Sequence, residues 1–156
     1  MGLFRANVVC AVGTWGVEGD EHVVTRIYLP HEGAQETVGI PPAAVAFAAR
    51  QLREYFNAAR RSFQVPLATV SATAFQHDVW NALNEIPFGE VRTYADIAVA
   101  VMRPAAVRAV GNANHVNPWP VIVPCHRVVA KSGLGGYGGG ERVKRFLLDL
   151  EGVHYR

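Results

Sequence analysis

The sequence predicts an α+β fold in two parts: a small strand-rich lobe over residues 1–70 and a mostly helical lobe over residues 71–156 containing a helix-turn-helix. Three observations point there. Residues 7–29 are dense in β-branched and aromatic side chains, which suit strands. After residue 73 the apolar residues recur at helical rather than alternating spacing. Helix-start signals, Thr73-x-x-Gln76 and Thr93-x-x-Asp96, open two of these stretches. The chain has 156 residues, half of them hydrophobic, enough for one unit or two small lobes around a core.

Taken in order, "NVVCAVGTWGVEGDEHVVTRIYL" (residues 7–29) reads as two strands around a polar turn at Val17–Glu21. A Gly/Pro stretch, "PHEGAQETVGIPP", leads into a helix with Pro42 near its first turn. Val45, Ala48, Ala49, Leu52, Tyr55 and Phe56 form its apolar stripe. "SFQVPL" reads as a short returning strand that closes the first lobe. In the second lobe Phe75, Val79, Leu83 and Ile86 repeat at helical spacing until "PFGE" ends the run. "RTYADIAVAVM" starts a shorter helix with Thr93 as its cap. After a turn of about three residues, Pro104 opens "PAAVRAVGNANHV", and the pair gives the helix-turn-helix outline. Ala105, Ala106, Ala109, Gly111 and Ala113 keep this helix slim, with Arg108 its one long cation. Such a helix packs closely on another helix or enters a DNA groove. "ERVKRFLLDLEG" is an amphipathic helix stopped by Gly152. No internal repeat or low-complexity tail is present.

The formal net charge of +2 names no partner, but its distribution is uneven. Residues 1–86 hold six Lys or Arg against eight acids, and residues 87–156 hold nine against five, so a nucleic-acid surface fits the second half better. Two cysteines, Cys10 and Cys125, are too few for a disulfide framework and suit a reducing compartment. No apolar run reaches the roughly 18 residues of a membrane span. The start lacks a signal-peptide core, and Ala6 breaks the myristoylation pattern. A soluble, cytoplasmic protein without a membrane partner is expected.

Cys125 lies in "NPWPVIVPCHRVV" and admits three readings: core filler, metal ligand or nucleophile. Metal binding fares worst, because no Cys-x-x-Cys or His-x-x-x-His spacing occurs and the six histidines are scattered. No metal is expected. A nucleophile needs a base or cation beside the sulfur. His126 is adjacent, yet neighbours on a strand point to opposite faces. Contact therefore requires a bend, which Pro120 and Pro124 make plausible, or a bridging water. The imidazole would also want an acid, and Glu141, Asp149 and Glu151 all lie downstream. "SGLGGYGGG" satisfies G-x-G-x-x-G through Gly133, Gly135 and Gly138, but without the βαβ unit that a dinucleotide site requires. It is a flexible loop carrying Tyr137, either a lid or a connector.

Together these stretches resemble the O-6-alkylguanine-DNA alkyltransferases, also called methylated-DNA–protein-cysteine methyltransferases. Five blocks stand in the family's order and spacing from about residue 73 to 152: "FQHDVWNALNEIPFGEVRTYADIA", "RPAAVRAVGNANHVNP", "VPCHRVV", "GLGGYGGG" and "KRFLLDLEG". The first lobe is similar only loosely, as a strand-rich domain with one helix. The resemblance implies that Cys125 accepts the alkyl group, that His126 acts as base through a water, and that Glu151 orients the imidazole. Asn117 would bridge the helix-turn-helix to the active-site segment. Tyr94 would crowd the target phosphate and hydrogen-bond the flipped base, and Arg108 would enter the duplex where the damaged nucleotide leaves. Further DNA contacts are implied at Thr93, Arg103, Ala105, Ala106, Gly111 and Lys131, and pocket walls at Pro120, Ser132 and Tyr137.

The partner so implied is double-stranded DNA bearing an alkylated guanine, met by a monomer without a cofactor. The reaction would be direct repair, with each molecule acting once because a thioether is not hydrolysed. The sequence departs from the family at Val107, beside Arg108; at Met102, where a Gly often ends the preceding helix; and at Asn114 and His115. These positions bear on DNA affinity and lesion preference rather than on the chemistry. Two rival readings are a DNA-binding module with a structural thiol, and a Cys–His hydrolase, which would need an oxyanion hole.

Overall fold

The β-branched N-terminal stretch folds into three strands rather than two. A computed structural model describes residues 2–155 and divides the chain into two units, Met1–Val70 and Ser71–Arg156. In the first unit β1 (Phe4–Cys10), β2 (Gly13–Gly19) and β3 (Val24–Tyr28) form an antiparallel sheet in that order. The turn between β1 and β2 is tight, with Cys10 paired to Gly13. Gly13 has φ 132°, and a Cβ there would lie 2.8 Å from the Pro30 Cβ, so only glycine fits. Ala11 and Val12 carry none of the usual hairpin signal, which is why this turn escapes a sequence reading. The polar turn falls later than expected, at Asp20–Val23. There the Asp20 carboxylate accepts from the His22 and Val23 amides at 2.8 and 2.9 Å.

Helix α1 (Ala43–Phe56) packs against β1 and β2. Its Val45, Ala48, Ala49, Leu52 and Tyr55 are buried, as are Val8, Trp15, Val17 and Ile27 of the sheet. Each large apolar side chain so enclosed is worth about 1.5–3 kcal/mol, which suffices for a small core. "SFQVPL" is not a strand. Only Leu67 bridges to Val24, because Pro66 has no N–H to continue a ladder.

The second unit contains α2 (Ala74–Asn84), β4 (Arg92–Thr93), α3 (Tyr94–Ala100), α4 (Val107–His115), β5 (Val128–Val129) and α5 (Glu141–Leu150). Both expected capping boxes are present. Thr73 and Gln76 exchange bonds of 3.1 and 3.0 Å, and Thr93 and Asp96 bonds of 3.0 and 2.9 Å. Helix α4 packs on α2 and α3, and the buried Trp80 indole donates to the Ala113 carbonyl at 2.9 Å. It begins at Val107 rather than Pro104. Residues 103–106 instead close a turn, with the Ala106 amide on the Arg103 carbonyl. The helix-turn-helix connection therefore spans residues 101–106, longer than the spacing suggested, and Met102 sits in it at φ 62°.

β4 and β5 are a two-residue parallel pair, Arg92 opposite Val128 and Thr93 opposite Val129. Gly152, at φ 83°, ends α5: its amide bonds to Asp149 and that of Val153 to Leu148. Among the described residues no helix is long and apolar enough to cross a membrane.

Candidate active site

Cys125 sits on a bend built by proline. Pro124 adopts φ −82°, ψ 66°, an inverse γ-turn closed by the Cys125 amide on the Val123 carbonyl at 2.8 Å. Cys125–Arg127 then form one 3-10 turn before β5. The strand reading of this run is thus corrected, and strand alternation no longer separates Cys125 from His126. Just upstream Val121 is buried at φ 76°, a strained conformation for a β-branched residue. Asn117 braces this irregular segment, donating to the Val123 carbonyl at 2.8 Å and accepting from the Trp119 amide at 2.9 Å.

Of the three downstream acids, Glu151 meets the imidazole. Its Oε2 lies 2.7 Å from His126 Nε2, whereas Asp149 pairs with His154 and Glu141 with Arg145. Arg127 grips the same carboxylate through Nε at 2.8 Å and Nη2 at 3.1 Å, and donates Nη1 to the Ile86 carbonyl at 2.8 Å. Burial alone would raise the Glu151 carboxyl, but the bonds from His126 and Arg127 win and hold it well below the usual range. An ionised carboxylate only accepts, so Nε2 carries the imidazole proton. His126 is wholly buried, and burial depresses its basicity despite Glu151. It is a neutral ring. Its other nitrogen, Nδ1, is buried and has no partner among the described residues, leaving a free lone pair.

Burial pushes the Cys125 thiol up, while a hydrogen bond from Asn117 and the charge of Lys144 pull it partly back. The resting group is therefore a thiol. The cation that helps it ionise is Lys144, not His126. Its side chain is fully buried, donates to the Val128 and Gly136 carbonyls at 2.6 and 3.0 Å, and lies 5.9 Å from the Tyr94 ring centre. Desolvation lowers it to about 8, against which the sulfur works.

Cys125 lines a cavity of about 250 Å³ together with Tyr94, Gly111, Asn114, His115, Gly136, Tyr137 and Gly138. That is below the roughly 300–1,000 Å³ of a site for a drug-sized ligand, and suits one planar ring. The Tyr94 hydroxyl donates to the Gly136 carbonyl at 3.2 Å, fastening α3 to the glycine-rich loop. Gly135 makes this approach possible: at φ 76°, its missing Cβ would lie 3.0 Å from Tyr94 Cε2.

Tyr94, Gly111, Tyr137 and Cys125 are thus gathered around one cavity; Asn117 hydrogen-bonds Cys125, and Glu151 holds the adjacent His126. Pro120 is buried and bridged to Val123, and Ser132 is exposed; neither lines the cavity. Arg103, Ala105, Arg108 and Lys131 are exposed, Ala106 is half-buried, and the Thr93 hydroxyl is engaged as the cap of α3. A sequence reading misses Arg127 and Lys144. For Lys144 a signal existed, since it shares the buried stripe of α5 with Leu147 and Leu148.

A family model described as 6-O-methylguanine DNA methyltransferase, DNA binding domain, matches residues 74–153. The constitutive methylated-DNA–protein-cysteine methyltransferase of Bacillus subtilis is 45% identical over 146 residues, 88% of each chain. A methylated-DNA–protein-cysteine methyltransferase of Methanosarcina acetivorans is 55% identical over 106 residues, 67% of each. The crystal structure of Mycobacterium tuberculosis O6-methylguanine methyltransferase superposes with a TM-score of 0.82 at 41% identity, covering 96% of this chain and 93% of that one. That of Mycobacterium tuberculosis OGT in complex with DNA gives 0.84 at 39%, covering 95% and 92%.

Proposed function

The chain belongs to the 6-O-methylguanine DNA methyltransferase family, and we propose from that premise that it repairs duplex DNA by moving the alkyl group of an alkylated guanine onto Cys125, once per molecule. The observation that carries this reading is the cavity itself: a sulfur on its wall, backed by a buried His–Glu pair whose free nitrogen is unoccupied by protein.

The step balances simply. The thiol proton passes through a water to His126 Nδ1, and the sulfur attacks the alkyl carbon. The carbon–oxygen bond breaks, and its electrons leave with the guanine. That guanine takes up one proton, so thiol and alkylguanine become thioether and guanine. Lys144 stabilises the thiolate, and the Tyr94 hydroxyl, whose acidity burial lowers, turns its one proton from the Gly136 carbonyl to the departing base. Glu151 keeps the imidazole in the productive tautomer.

A stacked base cannot reach a recessed sulfur, so the nucleotide must rotate out of the helix at a cost of about a few kcal/mol. Arg108, exposed on α4 and without a side-chain partner among the described residues, fills the gap in the stack. Arg103 and Lys131 contact phosphates, and the small side chains of Ala105, Ala106 and Gly111 let α4 approach the groove. The protein acts as a monomer in the cytoplasm. The acceptor is its own side chain, and a thioether has no route back to thiol, so the molecule is spent.

Incubation with a short duplex carrying one O6-methylguanine tests the reading by intact mass. One methyl increment on Cys125 per molecule, then arrest, is expected, and Cys125→Ala abolishes it. Repeated turnover, or binding without a mass change, overturns it.

A further inference from the structure

Asn114 is the one carboxamide in the cavity wall, and nothing in the fold accounts for it. It belongs to α4, where asparagine is a mediocre helix former. Its Oδ1 is buried without a partner, and among the described residues the side chain makes no hydrogen bond. Buried polar atoms are nearly always paired, so an orphan in a cavity wall marks a place where a ligand supplies the partner. The Tyr137 hydroxyl, also lining the cavity, is a second buried polar atom without a partner, so the unmet demand is not confined to one wall.

The chemistry of the missing partner follows from the amide. A carboxamide offers one donor and one acceptor side by side in a plane. Unmodified guanine presents the O6 acceptor, the N1 hydrogen and the 2-amino group on its pairing edge, and with O6 turned to the sulfur the amide faces the two donors. Alkylation at the exocyclic oxygen removes the N1 hydrogen, so N1 becomes an acceptor while the amino group stays a donor. That acceptor–donor edge is the complement of a carboxamide. Alkylated thymine presents two acceptors instead, so it satisfies only half of the amide, as unmodified guanine does in the same register.

We propose that Asn114 reads the pairing edge of the extruded base, giving Nδ2–H to N1 and accepting the 2-amino hydrogen at Oδ1, and thereby selects alkylguanine over guanine and alkylthymine. The proposal rests on the functional reading above and adds to it the residue that sets lesion preference. Both ends of the amide are satisfied together only when the right base arrives, which is how a polar pocket rejects near-isosteres more strongly than an apolar one.

The test uses duplexes carrying O6-methylguanine or its 1-deaza analogue, in which C–H replaces N1. Affinities are measured with Cys125→Ala, so that differences in leaving-group chemistry do not enter. Asn114 should favour the natural lesion about tenfold, the worth of roughly one neutral hydrogen bond, and in Cys125→Ala/Asn114→Leu the ratio should fall to near one. Asn114→Asp keeps the size but lacks the donor, and serves in the same way if the leucine variant fails to fold. Equal affinities with Asn114 present, or undiminished discrimination without it, overturn the assignment. Methyl transfer by the unsubstituted protein is read in parallel. Transfer with no N1 discrimination defeats only the role of Asn114, whereas absence of transfer defeats the function.

Discussion

Replacing Glu151 by Gln removes one charge and reverses one end of a four-way junction. The carboxylate meets His126 at 2.7 Å, Arg127 at 2.8 and 3.1 Å, and the Gly89 amide at 3.4 Å, in a site only 5% exposed. Glutamine can keep its oxygen toward Arg127 Nε and Gly89, but its NH₂ then faces His126 Nε2–H and Arg127 Nη2, donor to donor. Two charge-assisted bonds are lost and a guanidinium stays buried without its counter-charge. The expected cost is about 3–5 kcal/mol, a large share of the roughly 5–15 kcal/mol that holds a domain folded.

The His126 proton also loses its reason to sit on Nε2, so the base nitrogen is no longer prepared. Methyl transfer should slow by about 100-fold or more. The pH dependence has a definite sign. The folded Glu151 carboxyl is held below its ordinary 4.5, so its stabilisation is complete above that value and drains away as pH falls through the depressed one. Wild type and Glu151→Gln should therefore differ most at neutral pH and converge in acid. Single-turnover mass spectrometry, with amide exchange across α5 as the stability probe, reads both effects. A variant that keeps wild-type rate and acid profile would refute the junction's role.

Lys144→Met should leave the fold intact but raise the Cys125 thiol further. Alkylation of the Cys125 peptide by iodoacetamide would then slow near neutral pH, and the wild-type inflection near pH 8, where the lysine charge fades, would vanish; an unshifted profile would exclude the cation from thiol activation. Arg108→Ala should slow repair in duplex by more than it slows reaction with free alkylguanine, because only the duplex has a gap to fill. Equal losses on both substrates would remove Arg108 from the flipping step. Met102→Gly should stabilise the second unit by about 0.5–1 kcal/mol, since a left-handed conformation costs a side-chain-bearing residue more than glycine's extra unfolded-state freedom takes back. A lower denaturation midpoint would count against that strain.

What could be read from the sequence was what is locally encoded. Thr73 with Gln76, Thr93 with Asp96, and Gly152 mark helix ends through bonds made within a few residues, so α2, α3 and α5 were legible. The turn at Ala11–Val12 was not, because its geometry is imposed on Gly13 by the distant Pro30. Cys125, His126 and Glu151 are legible as a set only through the family resemblance, since residue types alone do not choose among Glu141, Asp149 and Glu151. Arg127 looks like an ordinary surface charge in a string of letters, and only its place on the apolar stripe of α5 sets Lys144 apart. They are buried because one carboxylate and three backbone carbonyls from other elements converge on them.

The two-residue ladder between Arg92–Thr93 and Val128–Val129 has a mechanical meaning. Thr93 caps the first helix of the helix-turn-helix pair while its backbone is spliced to the chain just past the sulfur. Strain on that helix therefore reaches the segment that holds the sulfur, through this ladder and through the Tyr94–Gly136 bond. Under the proposed function, seating on a duplex and aiming the sulfur would be coupled through these links.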